Sequence, residues 1–210
     1  MGTPVSLPRP APYDRRLVAW LSVGQLITWG SVFYTFALLL EPVERELGLS
    51  RAHASPGFSL ALLAEGAMAW TVGRWIDSGH ERAVMTGGSL LIAAGLLLHS
   101  VVHSAAGFYT AWLLLGAALS ATLYTPAFAV VTRRFPNDFR RAIITLTFLG
   151  GLASTVFIPL GAWLIAQLGW RHALWVLAAI HLLVCAPLHA SILRHAPRRS
   201  VVAPAAGTAQ

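Results

Sequence analysis

The sequence predicts an all-α membrane protein, with six transmembrane helices arranged as two inverted three-helix repeats. Three observations predict it: an oily composition, the spacing of the arginines, and short words that recur at one offset. The 210 residues are 56% hydrophobic and 11% charged, with 15 Arg, no Lys and 8 acids. A water-soluble domain of this length needs more polar surface, so the bilayer is the expected surrounding. The net charge of +7 could suit nucleic acid, but the arginines fall between apolar runs instead of clustering on one face, so no nucleic-acid partner is expected.

No Asp, Glu or Arg occurs over the 24 residues from Leu17 to Leu40, and a bilayer core needs about 20. Between Arg51 and Arg74 lie 22 residues with a single acid, Glu65. The 50 uncharged residues between Arg82 and Arg133 suit two spans joined near His99 to Gly107. Between Arg141 and Arg171 lie 29, and between Arg171 and Arg194 lie 22. Spans are therefore expected near 17–40, 54–76, 83–102, 107–131, 142–167 and 172–193. The runs are continuous and do not alternate, which indicates helices and not a barrel. The first span is too long for a removable signal peptide and lacks a small-residue cleavage site, so it reads as a retained anchor.

Six spans put both termini on one side. That side holds twelve arginines: Arg9, Arg15 and Arg16; Arg74 and Arg82; Arg133, Arg134, Arg140 and Arg141; Arg194, Arg198 and Arg199. The other side holds Arg45, Arg51 and Arg171. Arginine near span ends stays cytoplasmic, so the expectation is an integral protein of a bacterial inner (plasma) membrane with both termini cytoplasmic. Residues 1–16, with four prolines, and 194–210, rich in Pro, Ala and Ser, read as flexible cytoplasmic tails flanking a transmembrane domain over 17–193. The sole cysteine, Cys185, lies in span six, where it can form neither an intrachain disulfide nor a cysteine-based metal site, and reads as packing.

Internal matches support the repeat. FYT at 33–35 resembles LYT at 123–125, GRW at 73–75 resembles GAW at 161–163, and Arg82-Ala83 falls near Arg171-His172-Ala173. All agree on an offset of 88 to 90 residues. An odd number of helices per unit inverts the second copy, an arrangement used by secondary transporters.

The stretch TVGRWIDSGHER, residues 71–82, then carries a resemblance. Gly73, Asp77 and Arg82 fit the loop between helices two and three of the major facilitator superfamily, whose pattern runs Gly, three residues, Asp, a basic residue, any residue, Gly, any residue, then basic residues. Ser78 stands where a basic residue is usual, His80 where the second Gly is usual, and Ala83 at the last basic position. Wording such as ATLYTPAFAVVTRRF and GGLASTVFIPLGAWL is similar to the acid-anion or monocarboxylate-type branches.

The resemblance implies a six-helix half of a twelve-helix fold. It implies secondary active transport of a small solute by alternating access, an organic anion among the candidate solutes. The half would be truncated, split, or completed by a second six-helix half or a second copy. In the family the loop's charges latch the halves on the cytoplasmic side, which makes Gly73, Asp77 and Arg82 candidate gating residues. Helices one and four line the cavity, which makes Gln25, Trp29, Tyr34, Thr122, Tyr124 and Thr125 candidate pathway residues, although Trp and Tyr near span ends also serve as interface anchors.

Glu65 is singled out by physics, since an ionised acid at mid-span costs at least about 2.5 kcal/mol. It is a proton-coupling or cavity-lining candidate, or a neutral acid hydrogen-bonded between helices. Gly116 with Ser120, and Gly150 with Ser154, have spacing that lets helices approach closely, and Pro126 and Pro159 are candidate bends. The other readings are an inactive transporter remnant, a six-helix haem-binding oxidoreductase using His99, His103, His172, His181 or His189, and an intramembrane serine protease, for which Ser154 and His181 form no convincing constellation. An enzyme is not expected, and no cofactor is called for.

Overall fold

In the computed structural model the described residues are 13–194. Of the expected tails, residues 1–12 and 195–210 lie outside them, while Arg15 and Arg16, expected in the N-terminal tail, instead open the first helix. Every regular element among the described residues is helical. Asp14 caps α1 (Arg15–Thr28), its carboxylate accepting from the backbone N–H groups of Arg16 at 2.9 Å and Leu17 at 3.1 Å, which satisfies donors that a helix start leaves open. A π-helical turn, Trp29–Tyr34, carries α1 into α2 (Thr35–Leu47). Gly48 ends it in the left-handed conformation at φ 65, where a side chain would be strained.

After α3 (Arg51–Ala54) come α4 (Pro56–Asp77) and α5 (Glu81–Ser100). Then follow α6 (Ala105–Ser120), α7 (Tyr124–Arg134), α8 (Phe139–Gly151) and α9 (Ala153–Ile180). A second π turn, His181–Cys185, leads into α10 (Ala186–Ile192). That turn lies just before Pro187, which has no N–H and whose ring would crowd the carbonyl four residues back.

Four helical stretches are long and apolar enough to cross a membrane: Arg15–Leu47, Glu81–Ser100, Ala105–Arg134 and Phe139–Ile192. The 22-residue α4, on which a span near 54–76 was expected, is not among them, since Glu65, Pro56 and its glycines dilute its hydropathy. Phe139–Ile192 is 54 residues long and bends at Gly169, φ 77 and ψ 158, where two helices meet.

Small residues set the packing at Gly116 as expected, whereas Gly150 meets a side chain and not a helix backbone. Gly116 lets α6 lie against the backbone of α4 at Ala61, where an added Cβ would overlap it. Gly150 likewise leaves room for the Tyr124 hydroxyl. Two buried apolar clusters result. One gathers Trp112, Phe108, Leu115, Ile92 and Leu174. The other gathers Leu17, Leu21, Ile76, Met85 and Leu146.

Candidate functional site

Helix Ala105–Arg134 is interrupted at residues 121–123, between α6 and α7. Sequence accounts for the interruption. Pro126 has no N–H, so the carbonyl of Thr122, four residues earlier, loses the donor that a continuous helix would give it. Inside an apolar bundle an unsatisfied carbonyl is costly. Gln25 of α1 supplies the missing donor: its Nε2 donates to Thr122 O at 2.7 Å and to Leu123 O at 3.3 Å. Gln25 and Thr122 are both fully buried.

One turn along, the aromatic rings gather. Trp29 lies 5.1 Å from Tyr124, 4.6 Å from Phe33 and 6.3 Å from Tyr34, centroid to centroid. Tyr124 stacks on Phe128 at 5.1 Å. The π turn puts Trp29, Phe33 and Tyr34 near one another, while the break turns Tyr124 toward them. Five of the six candidate pathway residues, Gln25, Trp29, Tyr34, Thr122 and Tyr124, therefore converge where two irregular helices meet. Thr125 is exposed.

A buried polar stripe continues along α1 and its π turn through Ser22, Gln25, Thr28, Ser31 and Thr35. Ser31 Oγ is 2.7 Å from His181 Nε2, which joins the two π turns. Ser89 Oγ of α5 is 2.9 Å from His189 Nδ1. The sequence reading missed both pairs, because the partners lie 150 and 100 residues apart. Cys185, at the end of the second π turn, is buried, as expected of a packing residue. Glu65 sits half-buried on α4, with no hydrogen bond or ion pair among the described residues.

The charged loop divides in two. Gly73 has open space where a side chain would go, and Asp77 and Arg82 are exposed. No ion pair joins Asp77 to a described arginine. The acid that sinks inward is Glu81, fully buried at the start of α5. Arg134 Nε donates to Glu81 Oε1 at 2.7 Å and its Nη2 reaches the same oxygen. Arg133 Nη1 approaches Glu81 Oε2 at 3.4 Å and donates to the carbonyl of Ile76, near the end of α4. The arginine pair that ends α7 is thus used by Glu81 and not by Asp77. The signal was present in the stretch 71–82 as a second acid four residues on, but nothing in the spacing ranks one above the other.

At the far end of α5 a second cluster forms. Arg171 donates to Glu46 Oε1 from Nε at 3.0 Å and from Nη2 at 2.7 Å, and also to the carbonyls of Ser100 and Val102. Trp170 Nε1 donates to Glu46 Oε2 at 2.6 Å.

Comparison with known proteins gives a consistent result. The chain matches the Major Facilitator Superfamily over residues 21–209. It is 35% identical over 178 residues to an MFS-type efflux pump of Mycolicibacterium smegmatis, covering 81% of this chain and 41% of the relative. It is 39% identical over 113 residues to monocarboxylate transporter 13 of Bos taurus and 36% identical over 113 residues to that of Rattus norvegicus, each covering 52% of this chain and 26% of the relative. The chain thus spans less than half the length of these curated relatives.

Proposed function

The chain belongs to the major facilitator superfamily, and from that premise we propose that it contributes a six-span half to a secondary transporter that moves a small solute by alternating access. The six crossings follow if Phe139–Ile192 counts twice and α4 counts once. At 1.5 Å per residue the 54 residues would reach about 80 Å, against about 30 Å of hydrocarbon, and Gly169 divides them. Two inverted three-helix units are supported by the irregularities themselves. Moved by 90 residues, the π turn Trp29–Tyr34 falls on 119–124, which contains the break at 121–123.

The observation that carries the proposal is the junction of Gln25 with the broken helix, roofed by Trp29, Tyr34 and Tyr124. Interrupted helices near mid-membrane mark solute sites in such folds, and paired rings with a Tyr hydroxyl beside the break offer both apolar and hydrogen-bonding surface. Thr125 would join the pathway only on the exposed side of α7. A second six-helix half, from further chain, another polypeptide or a second copy, would close the cavity. Asp77, with Gly73 and Arg82, would latch to that half, and Glu65 on the exposed side of α4 would face it and carry the coupling proton. Both termini would be cytoplasmic, in a bacterial inner membrane. Monocarboxylates, named in the mammalian relatives, are the first solutes to test; the cluster holds no cation, so an anion's counter-charge would come from the other half.

The test is uptake into proteoliposomes containing the completed transporter, with labelled monocarboxylates and amphipathic dyes, with and without a pH gradient. Gln25→Ala and Trp29→Ala should each lower uptake at least tenfold while the protein stays folded. Uptake unchanged in both variants would remove the junction from the pathway. Uptake insensitive to pH that also survives Glu65→Gln would remove the proton role.

A further inference from the structure

Between the start of α1 and the last turns of α10 the surface opens into a groove of about 640 Å3. Its walls change character along their length. The mouth is polar, with Asp14, Arg16 and Ser191, and the remainder is apolar, with Trp20, Leu183 and Val184 among its walls. Trp20 is 43% exposed, Val184 42% and Leu183 70%, so these walls face outward and not onto a neighbouring helix.

The polar groups at the mouth are not equivalent. Asp14 is committed to the backbone N–H groups of Arg16 and Leu17, and the Ser191 hydroxyl donates to Leu188 O at 2.9 Å. The Arg16 guanidinium has no hydrogen bond or ion pair among the described residues, and exposed Arg15 adjoins it in sequence. From Ile192 at the mouth back to Leu183 is nine residues, about 14 Å of helical rise. That matches one leaflet of a hydrocarbon core about 30 Å thick. A cation at the water boundary above one leaflet's depth of apolar wall is complementary to an anionic headgroup above an acyl chain. A soluble anion would use the mouth alone and leave the apolar walls bare.

We propose that this groove binds an anionic glycerophospholipid, its phosphate on Arg16 and one acyl chain along Trp20, Leu183 and Val184. A guanidinium presents paired N–H donors to phosphate oxygens, a short and strong contact. Indole suits the boundary between headgroup and chain. Binding requires membrane insertion only and stands apart from transport.

The experiment places the full chain in nanodiscs of phosphatidylcholine with a minor share of phosphatidylglycerol, extracts it in mild detergent, and counts retained lipids by native mass spectrometry. Phosphatidylglycerol should be retained well above its share. Arg16→Ala should lower that retention about tenfold, the scale of one charge-assisted contact, while Arg140→Ala, at an exposed arginine elsewhere, leaves it unchanged. Val184→Trp, which fills the groove without touching the charge, should lower it comparably. A photoreactive acyl chain on phosphatidylglycerol should label the 183–188 segment. Equal retention of the two lipids, equal losses in the Arg16 and Arg140 variants, or full retention in Val184→Trp would overturn the proposal. So would inorganic phosphate competing through Arg16 with no dependence on Val184, which marks an anion site at the mouth only.

Discussion

The two ends of α5 hold the same kind of contact in opposite circumstances. At its start, Glu81 and Arg134 are 0% and 10% exposed at the side chain; at its end, Glu46 and Arg171 are 44% and 22% exposed. In the first pair both charges have left water, so each depends on the other for solvation. In the second, water shares the work, and Arg171 is held as much by the carbonyls of Ser100 and Val102 as by the acid. A distance alone would rank these contacts together; burial separates them. On the proposed inverted repeat they are also counterparts. An offset of 90 carries Glu81 to Arg171 and Arg134 to Glu44, two residues from Glu46, so acid and base have changed places between the two ends.

The largest expected effect is at the buried end. Glu81→Ala strands Arg134 in an apolar setting and should destabilise the fold by about 3–5 kcal/mol, read as a fall in the thermal midpoint of purified protein in detergent. The double variant Glu81→Ala with Arg134→Leu should recover much of that loss, because neither charge is then left alone. If the double variant is as unstable as the single one, burial of an orphaned charge is the wrong account. Next in size, Gln25→Ala leaves the Thr122 carbonyl without a donor and should cost about 1–3 kcal/mol by the same measurement, a buried loss with no charge involved. Glu46→Gln, at the wetter end, should cost about 1 kcal/mol or less, and raising the salt should narrow its gap from the wild type while leaving the Glu81 effect in place. Smallest is Asp77→Asn, with no measurable change in stability, since its carboxylate is exposed and has no ion pair with a described arginine. A large loss there would mean that the loop's structure, and not a partner outside these residues, depends on Asp77.

What the sequence revealed follows the same division. The apolar runs were legible because a bilayer imposes length on any helix that crosses it, and the arginines mark the ends of those runs. Gln25 and Trp29 stood out through the family resemblance, four residues apart and so on one helix face, and Pro126 as a candidate bend. That Gln25 repairs what Pro126 breaks was not, because the bond joins segments distant in the chain. The π turns were equally hidden: an extra residue per turn leaves no mark on a pattern of apolar letters, and the turns lie where Ser31 meets His181. Glu81 escaped because burial depends on what packs over a residue. It stands in the stretch 71–82 beside Asp77, and both read as loop charges until α7 arrives to cover one of them.

The bond from Gln25 to Thr122 carries a consequence for how such chains can vary. The carbonyl needs an outside donor only while the position of Pro126 has no N–H. A relative with an ordinary residue there regains a donor within its own helix, and the glutamine loses its reason to stay polar. The two positions should therefore change together across descendants of a common ancestor, the amide giving way to an apolar side chain wherever the proline is lost.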